Sequence, residues 1–277
     1  MPDTPDVAHF ARLIETLHPW LDKVAIIGGW AHRLYRLHPL AQSLDYEPLG
    51  TLDTDVAVPA ELPATDKDIR QRLIENNFRE ELSGDTRPPV AHYYVATEDS
   101  GFYAEFLTPL IGGYIKRGDK RDTTMQVAGV SVQKLRHLEL LLRAPWEVDI
   151  APANGYPTDG ARRIRIPNAA AFLAQKILIH TKRDRADKAK DILYIHDTIE
   201  TFGGNLPAVR EAWEVSVKPA LHIKASREIE DAAKVYFQQV GDTIREAARI
   251  AAGRDLTPER IRQVCSYGWT QMFDLRP

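Results

Sequence analysis

Two aspartates lie in a short segment whose other residues are typical of a buried β-strand. Residues 50–58 read GTLDTDVAV and alternate with a period of two. Asp53, Asp55 and Ala57 face one side, and the residues between them face the other. By strand rise, the two carboxylates are roughly 6.5–7 Å apart. Like charges at this spacing repel unless a cation, a proton or a basic group lies between them. The pattern indicates a cation site or, alternatively, an exposed edge strand with solvated acids.

The chemistry that such a pair supports is phosphate chemistry assisted by a divalent ion. Mg²⁺ takes one or two carboxylates together with water and substrate phosphates. Two-metal sites for phosphoryl transfer hold their ions roughly 3.5–4 Å apart, which bridging carboxylates can arrange. Such a site needs a third acid, and Glu105 is the best candidate because it is a lone carboxylate inside the apolar segment FYAEFL. We therefore expect Asp53, Asp55 and Glu105 to bind Mg²⁺ or Mn²⁺.

A pair of glycines follows the short apolar run KVAII. Gly28 and Gly29 lie between this predicted strand and a helix predicted over WAHRLYRL. Backbone amides at such a turn can approach a phosphate closely, and the helix N-terminus adds partial positive charge. An ordinary tight turn is the alternative interpretation. The pair is a candidate phosphate-binding turn.

A third candidate group lies on a predicted helix in the second half of the chain. Lys176, His180 and Arg183 recur at i, i+4 and i+7, which places them on one helix face. A lysine there could neutralise a triphosphate as a compact point charge. Lys190 and Asp191 begin a second helical stretch of similar composition. A solvated helix face explains the same spacing.

The elements that position these residues follow from periodicity and from proline and glycine. Further strands are predicted at FREEL, AHYYVAT, FYAEFLT and VAGVSV, and a short helix at VQKLRHLELLL. A polar connection, HPLAQSLDYEPLG, precedes the aspartate strand. Asn168 is a predicted N-cap, and Thr257 with Pro258 predicts the start of the last helix.

Chain length favours two domains, or one domain with a large helical appendage, because 277 residues exceed the usual size of one domain. The boundary falls in APANGYPTDGARR, residues 151–163, where proline and glycine interrupt the pattern. We expect an α+β fold. A mixed β-sheet domain with flanking helices would cover residues 1–150, and an α-helical C-terminal domain would cover residues 151–277.

Composition excludes several classes of protein. The net charge of −3 disfavours a protein that coats nucleic acid non-specifically. Cys265 is the only cysteine, so an intrachain disulfide is impossible, which fits a reducing cytosol. The start, MPDTPDVAHF, lacks the regions of a signal peptide, and no apolar run approaches the roughly 18 residues that span a bilayer. We expect a soluble, cytoplasmic protein that does not bind membranes.

Taken together, these residues resemble the nucleotidyltransferase superfamily that shares the DNA polymerase β fold. Its signature is a strand ending in Gly-Gly or Gly-Ser, a helix, a strand bearing D-x-D, and a third acid on a later strand. In this sequence the signature corresponds to Gly28, Gly29, Asp53, Asp55 and Glu105. The resemblance implies a nucleotidyltransferase-type mixed sheet. It also implies that the three acids bind the metal and that Glu105 could help to deprotonate the acceptor.

Within that superfamily, two segments are similar to the AbiEii-type abortive-infection and toxin proteins. TLDTDVAV is similar to their T-x-D-x-D, and residues 166–195 are similar to their proline-containing entry, helix lysine, downstream arginine and Lys-Asp pair. By that resemblance, Lys176 and Asp191 join the site as catalytic residues, and Arg183 or Arg185 contacts phosphate. Tyr194 stands where these proteins often carry a second Asp.

The resemblance implies a metal-dependent enzyme, EC 2.7.7-like, that moves an NMP from an NTP to an acceptor hydroxyl and releases pyrophosphate. The acceptor could be RNA such as tRNA, a protein or a small molecule, and a cognate antitoxin is a possible partner. Basic residues in YIKRGDKR and ARRIRI could guide a polyanion, although solvated loops are the favoured interpretation of each. The alternative is a catalytically silent module of the same fold that binds a nucleotide or a partner. A metal hydrolase is disfavoured because His180 and His196 are too far apart for an H-x₃-H ligand pair.

Overall fold

The chain divides into two compact units. The computed structural model describes residues 5–63, 65–95, 101–112, 115–116 and 120–273. The first unit comprises Met1–Leu37 and Leu49–Pro167, and the second comprises His38–Pro48 and Asn168–Pro277. None of the described helices is both long enough and apolar enough to cross a bilayer.

The first unit combines a mixed sheet with short helices. Its elements, in chain order, are α1 (Pro5–Thr16), β1 (Ala25–Ile27), α2 (Gly28–Leu34), β2 (Asp53–Ala57), α3 (Ile69–Glu75), β3 (Phe78–Ser83), β4 (Val90–Val95), β5 (Tyr103–Pro109), β6 (Ile115–Lys116), β7 (Lys120–Arg121), β8 (Thr124–Val127), β9 (Val130–Leu135), α4 (Leu138–Leu141), β10 (Trp146–Ile150) and β11 (Arg162–Ile166).

Among the described residues, seven strands form the main sheet, and β2 lies in its interior. The order is β1-β2-β5-β4-β3, with β9 pairing the C-terminal part of β5 and β8 pairing β9. β2 pairs β1 antiparallel and β5 parallel. The exposed-edge interpretation of the two aspartates is therefore wrong, because both edges of their strand are paired.

One face of this sheet changes from apolar to acidic along the strands. At one end, Ala25, Ala57 and Leu107 pack in a buried cluster with Leu138 and Leu141 of α4. Two residues before Ala57 and Leu107 on their strands, the same face carries carboxylates. α4 thus covers the apolar end of the face and leaves the acidic end outside this cluster. The predicted helix over VQKLRHLELLL is wrong in its first half, because β9 continues to Leu135 as the partner of β5.

The sequence boundary at residues 151–163 lies inside the first unit. β10 and β11 flank this segment and pair with each other antiparallel over their whole lengths. The proline and glycine residues therefore form a connection between two paired strands. By contacts, the division falls between Pro167 and Asn168.

The second unit is helical. Its helices are α5 (Ala169–His180), α6 (Arg185–Thr201), α7 (Leu206–Ala212), α8 (Ile223–Glu230), α9 (Ala232–Tyr236), α10 (Asp242–Ile250) and α11 (Pro258–Phe273). The side chain of Asn168 accepts a hydrogen bond from the Ala171 amide, so the predicted N-cap is confirmed. A mixed sheet followed by helices confirms the predicted α+β fold class.

Residues 38–48, part of the polar connection before the aspartate strand, belong to this helical unit. The Gln42 amide donates to the Thr201 carbonyl over 2.8 Å, and its side chain donates to the Glu200 carbonyl over 2.7 Å. The Tyr46 hydroxyl donates to the Glu200 carboxylate over 2.8 Å. The connection is thus anchored along the last turns of α6.

Candidate functional site

Strand register places the three predicted acids on one face of the main sheet. Asp55 is the direct partner of Glu105 in the parallel β2–β5 ladder, and Asp53 is the partner of Tyr103. Neighbouring strands are roughly 4.8 Å apart, so the side chains of Asp55 and Glu105 start as close neighbours. Asp53 precedes Asp55 by one pleat repeat on the same face. The structure therefore brings Asp53, Asp55 and Glu105 to one region of the sheet.

The side chains of these three acids are half-buried. Asp53, Asp55 and Glu105 are of intermediate exposure, whereas Thr54, which points to the other face, is fully buried. Burial raises the pKa of Tyr103 to about 12, and the charges of Asp53, Glu105 and Asp55 add to this rise. All three carboxylates thus act electrostatically on the same phenol, as expected for groups that share one face.

Gly28 lies against the carboxylate of Asp55. Ile27 is the ladder partner of Asp55, so the residue that follows β1 reaches the same row of the sheet. Gly28 has a φ of +63°, and a Cβ at this position would overlap Oδ2 of Asp55 and lie 3.0 Å from its Cγ. A side chain is therefore excluded for two reasons, the left-handed backbone and the close carboxylate. Gly29 follows as a buried residue of α2.

Glu105 is held from one side only. Nε2 of Gln133, on the neighbouring β9, donates to Oε2 of Glu105 over 3.0 Å. Nε2 of His92, its ladder partner on β4, lies 3.5 Å from the same oxygen. Both contacts restrict the rotation of the carboxylate. Asp53 is held in a comparable way, because the Thr51 hydroxyl donates to its Oδ1.

The donor set of this face fits a hard divalent cation in part. Carboxylate oxygens are the ligands that Mg²⁺ prefers, and a pair of them with phosphate oxygens and water is its usual environment in nucleotide sites. Among the described residues, however, no three or more Asp, Glu, His or Cys side chains are grouped closely enough to hold a metal. Asp53 and Asp55 are therefore suited to an ion that a bound nucleotide also coordinates.

The candidate residues of the second unit form a cluster within that unit. Nζ of Lys176 donates to Oδ1 of Asp191 over 2.6 Å, and Nε of Arg183 donates to Oδ2 over 3.3 Å. Lys176 is 5% exposed and Asp191 is 1% exposed. The lysine ammonium also lies 4.9 Å from the centre of the Tyr194 ring, which adds a cation–π contact. The structure thus brings Lys176, Arg183 and Asp191 together as an ion-paired cluster.

His180 is not part of this ion-paired cluster. Its ring packs 4.7 Å from that of Tyr236, and burial lowers its pKa. The side chain is 6% exposed. The environment is that of a neutral core histidine, so the interpretation of this helix face as a solvated cationic surface is wrong at His180.

The basic segments of the first unit give little support to a polyanion path. The Arg162 guanidinium donates to Glu15 over 3.0 and 3.1 Å, and that of Arg163 donates to Asp149 over 3.0 and 3.2 Å. Both cations are thus already compensated. Half of the other basic segment, YIKRGDKR at residues 114–121, lies outside the described residues, which omit 114 and 117–119.

Sequence reasoning missed the side chains that hold Glu105 and line its surroundings. His92 lies in a strand that the sequence predicts, whereas Gln133 lies in a segment that it predicts as a helix. The contact of either side chain with Glu105 depends on strand order. Tyr94 and Tyr103 lie in the same predicted strands, and their rings lie 5.2 Å apart. The only signal was the strand pattern itself, which places His92 with Tyr94 on one face of their strand and Tyr103 with Glu105 on one face of theirs, without indicating that the two faces coincide.

The chain belongs to a nucleotidyltransferase family, which matches residues 5–217. The matched range covers all the candidate residues described above, from Gly28 to Asp191. Membership makes the chain a transferase that acts on nucleotides, and it implies a nucleoside triphosphate as substrate. A search among curated proteins gives no match.

Proposed function

We propose that the protein moves a nucleoside monophosphate from an NTP to an acceptor hydroxyl and releases pyrophosphate, an EC 2.7.7-type reaction that depends on Mg²⁺ or Mn²⁺. The proposal places the chain in the DNA polymerase β-like superfamily, close to the AbiEii-type proteins. The observation that carries it is the placement of Asp53, Asp55 and Glu105 on one face of an interior strand pair, with Gly28 against Asp55. Solvated acids of an edge strand would require no such arrangement.

In this proposal, the acids and the glycines have separate tasks. Asp53 and Asp55 would hold the divalent ion, which neutralises the charge that develops on the transferred phosphoryl group. Gly28 and Gly29 would receive the β- and γ-phosphates, because backbone amides can approach closely where no side chain intervenes. Glu105 is the third acid of the site. Catalysis of this kind depends mainly on positioning and electrostatics.

The second unit contributes Lys176, Asp191 and Arg183 in this proposal. Asp191 holds both cations through its two oxygens and so fixes their orientation. Lys176 would neutralise phosphate charge, and Arg183 would contact a phosphate. The same ion pair is the observation that favours the alternative function, a catalytically silent nucleotide- or partner-binding module, because a lysine already paired with Asp191 has less charge to offer a substrate.

The acceptor in this proposal is an RNA such as tRNA, a protein or a small molecule, and the setting is the cytoplasm. A cognate antitoxin is a partner that the AbiEii-type resemblance suggests. Each acceptor class carries a hydroxyl that can attack the α-phosphorus. Which of them receives the nucleotide is a matter for the labelling experiment.

The experiment is a transfer assay with the four α-labelled NTPs, Mg²⁺ or Mn²⁺, and cellular RNA and protein extract as acceptors. The wild-type chain is compared with the double variant Asp53→Asn/Asp55→Asn. Asp85→Asn is the matched control, since Asp85 is an exposed acid of the same unit. Label that reaches an acceptor with the wild type and the control, but not with the double variant, supports the proposal. Nucleotide binding without transfer would favour the silent module. No binding of nucleotide with metal would contradict the transfer reaction and a nucleotide-binding module alike, and would leave only a module that binds a partner.

A further inference from the structure

Two tyrosines extend the acidic face of the main sheet by two strands. Tyr103 on β5 is the ladder partner of Asp53, and Tyr94 on β4 is the ladder partner of Tyr103. Ladder partners point to the same face of a sheet, so the aspartate and both tyrosines form one row across three strands. Strand spacing places Tyr103 roughly 5 Å and Tyr94 roughly 10 Å from Asp53 at the level of the backbone. Neither tyrosine has a task in the proposed reaction so far.

The two tyrosine rings form a fixed aromatic surface. Their centres are 5.2 Å apart, and their planes are inclined by 37°. The ring of His92 packs edge-on against both, with its centre 5.1 Å from that of Tyr103 and 6.4 Å from that of Tyr94. All three side chains are half-buried. Because the tyrosine rings already pack against each other, a planar ligand can stack on the outside of the pair but not between its members.

The chemistry of this surface suits a nucleobase. Phenol rings offer flat π-faces, on which any base can stack. The carboxylates of Asp53 and Glu105 disfavour an anionic group at the same place. A cation would be attracted by these acids, but in the proposed function the divalent ion already neutralises them. An uncharged planar ring that the substrate itself carries is therefore the best match.

In-line transfer fixes the direction in which the leaving and attacking groups lie. Ile27, Asp55 and Glu105 are ladder partners and form a second row, which on β2 and β5 lies two residues beyond the tyrosine row. Gly28 follows Ile27 and lies against Asp55. If pyrophosphate leaves beside Gly28, attack on the α-phosphorus therefore comes along this second row from the β5 side.

The nucleoside of the NTP must then lie to one side of the second row, because it is attached to the α-phosphorus off the line of attack. On one side, α4 covers the apolar end of the sheet face through the cluster that contains Ala57, Leu107 and Leu138. On the other side, the face carries Asp53 and then Tyr103, both half-buried. This side is the one that can receive the nucleoside.

We infer that Tyr103 and Tyr94 form the surface on which the base of the incoming NTP stacks, and that His92 holds their rings in place. The inference rests on the proposed function. Tyr103, one strand away from Asp53, contacts the base, and Tyr94 supports Tyr103 from the far side. Because stacking strength sets base preference on such a surface, the larger rings of ATP and GTP bind more tightly than those of CTP and UTP.

The test measures base stacking without an acceptor. The riboside triphosphate of 2-aminopurine, whose fluorescence falls when its base stacks, is titrated with Mg²⁺ into the chain. Tripolyphosphate with Mg²⁺, which has no base, is titrated by calorimetry, and a single-stranded oligonucleotide ending in 2-aminopurine represents an acceptor. The variants are Tyr103→Leu, Tyr103→Phe and Tyr94→Leu. Tyr267→Leu is the matched control, since Tyr267 is an exposed tyrosine of the second unit. Circular dichroism checks folding, and transfer of label is measured in parallel.

We expect the fluorescence of the triphosphate to fall on binding to the wild-type chain, a readout that needs no variant. Tyr103→Leu should weaken binding of the triphosphate at least about tenfold, and Tyr94→Leu about threefold. Tyr103→Phe, which keeps the ring, and the control should stay within about twofold of the wild type. Binding of tripolyphosphate should be the same in every variant, which a general disruption of the site would not allow.

Three results would overturn the inference. One is a wild-type chain that leaves the fluorescence of the triphosphate unchanged. Another is a Tyr103→Leu variant that binds the triphosphate normally, or that loses tripolyphosphate to the same extent. The third is a Tyr103→Leu variant that loses the oligonucleotide but keeps the triphosphate, which would assign the surface to the acceptor.

The same samples separate this inference from the proposed function. A base that stacks on Tyr103 without any transfer of label contradicts the transfer reaction and supports the stacking surface. Transfer of label with triphosphate binding that Tyr103→Leu leaves unchanged contradicts the stacking surface alone.

Discussion

Replacement of Gly28 by alanine isolates the contact between the predicted phosphate-binding turn and the aspartates. The φ of +63° forces alanine into the left-handed region, which costs about 1–2 kcal/mol. The new Cβ would overlap Oδ2 of Asp55, so the carboxylate must leave its rotamer at a cost of about 0.5–1.5 kcal/mol. The expected loss in free energy of unfolding is therefore about 2–3 kcal/mol, equivalent to a fall in Tm of about 5–10 °C.

The control for this change is Gly84→Ala. Gly84 has a φ of +79° and no atom within 4 Å of an added Cβ, so the backbone cost is the same and the contact is absent. Differential scanning calorimetry and Mn²⁺·NTP titration are applied to both variants. We expect Gly84→Ala to lower Tm less and to bind the nucleotide normally, and Gly28→Ala to bind it at least about tenfold more weakly because Asp55 is displaced. Equal effects of the two variants on Tm and on binding would refute the reasoning.

Three further predictions concern the helical unit. Asp191→Asn should lower the free energy of unfolding, measured in urea, by about 3–5 kcal/mol, because it leaves the buried ammonium of Lys176 uncompensated. Adding Lys176→Met to this variant should recover much of the loss. Additive losses from the two substitutions would contradict a buried ion pair. Burial places the pKa of His180 below its usual 6.5, so the unfolded chain takes up the proton first as pH falls. The free energy of unfolding should therefore decrease from about pH 7.5 to pH 5.5, and it should decrease less in His180→Phe. An equal pH dependence of the free energy of unfolding in both proteins would contradict this. Gly268→Ala should lower the free energy of unfolding by about 1–3 kcal/mol, because its Cβ would overlap the side chain of Ile199. In an Ile199→Ala background, the same substitution should lower it by less than about 0.5 kcal/mol. An equal loss in both backgrounds would place the strain elsewhere.

Local chemistry made several elements of this chain predictable. The β2 strand follows from strict alternation around Asp53 and Asp55, and α5 follows from the Asn168 cap. The last helix, expected to start at Pro258, does start there. These features depend on residues within a few positions of one another, so the pattern and the local hydrogen bonds suffice to predict them.

Features that depend on distant pairing were not predictable in the same way. The sequence indicates a helix over VQKLRHLELLL because its apolar residues recur at helical spacing, yet β5 binds the first half of this segment as β9. Likewise, the proline- and glycine-rich stretch 151–163 is typical of a linker but connects two paired strands. In both cases, ladder hydrogen bonds to a partner outweigh local preference.

The sequence by itself determined the residue types of the site and the order of the elements that carry them: a Gly-Gly turn, a D-x-D strand and a later strand with one acid. The tertiary structure alone decided that β2 lies between β1 and β5, so that Asp55 faces both Gly28 and Glu105. It alone also decided that Gln133 and His92 contact one oxygen of Glu105. The physical reason is that alternation specifies the face of a strand on which a residue lies, whereas only strand order and register specify its neighbours on that face.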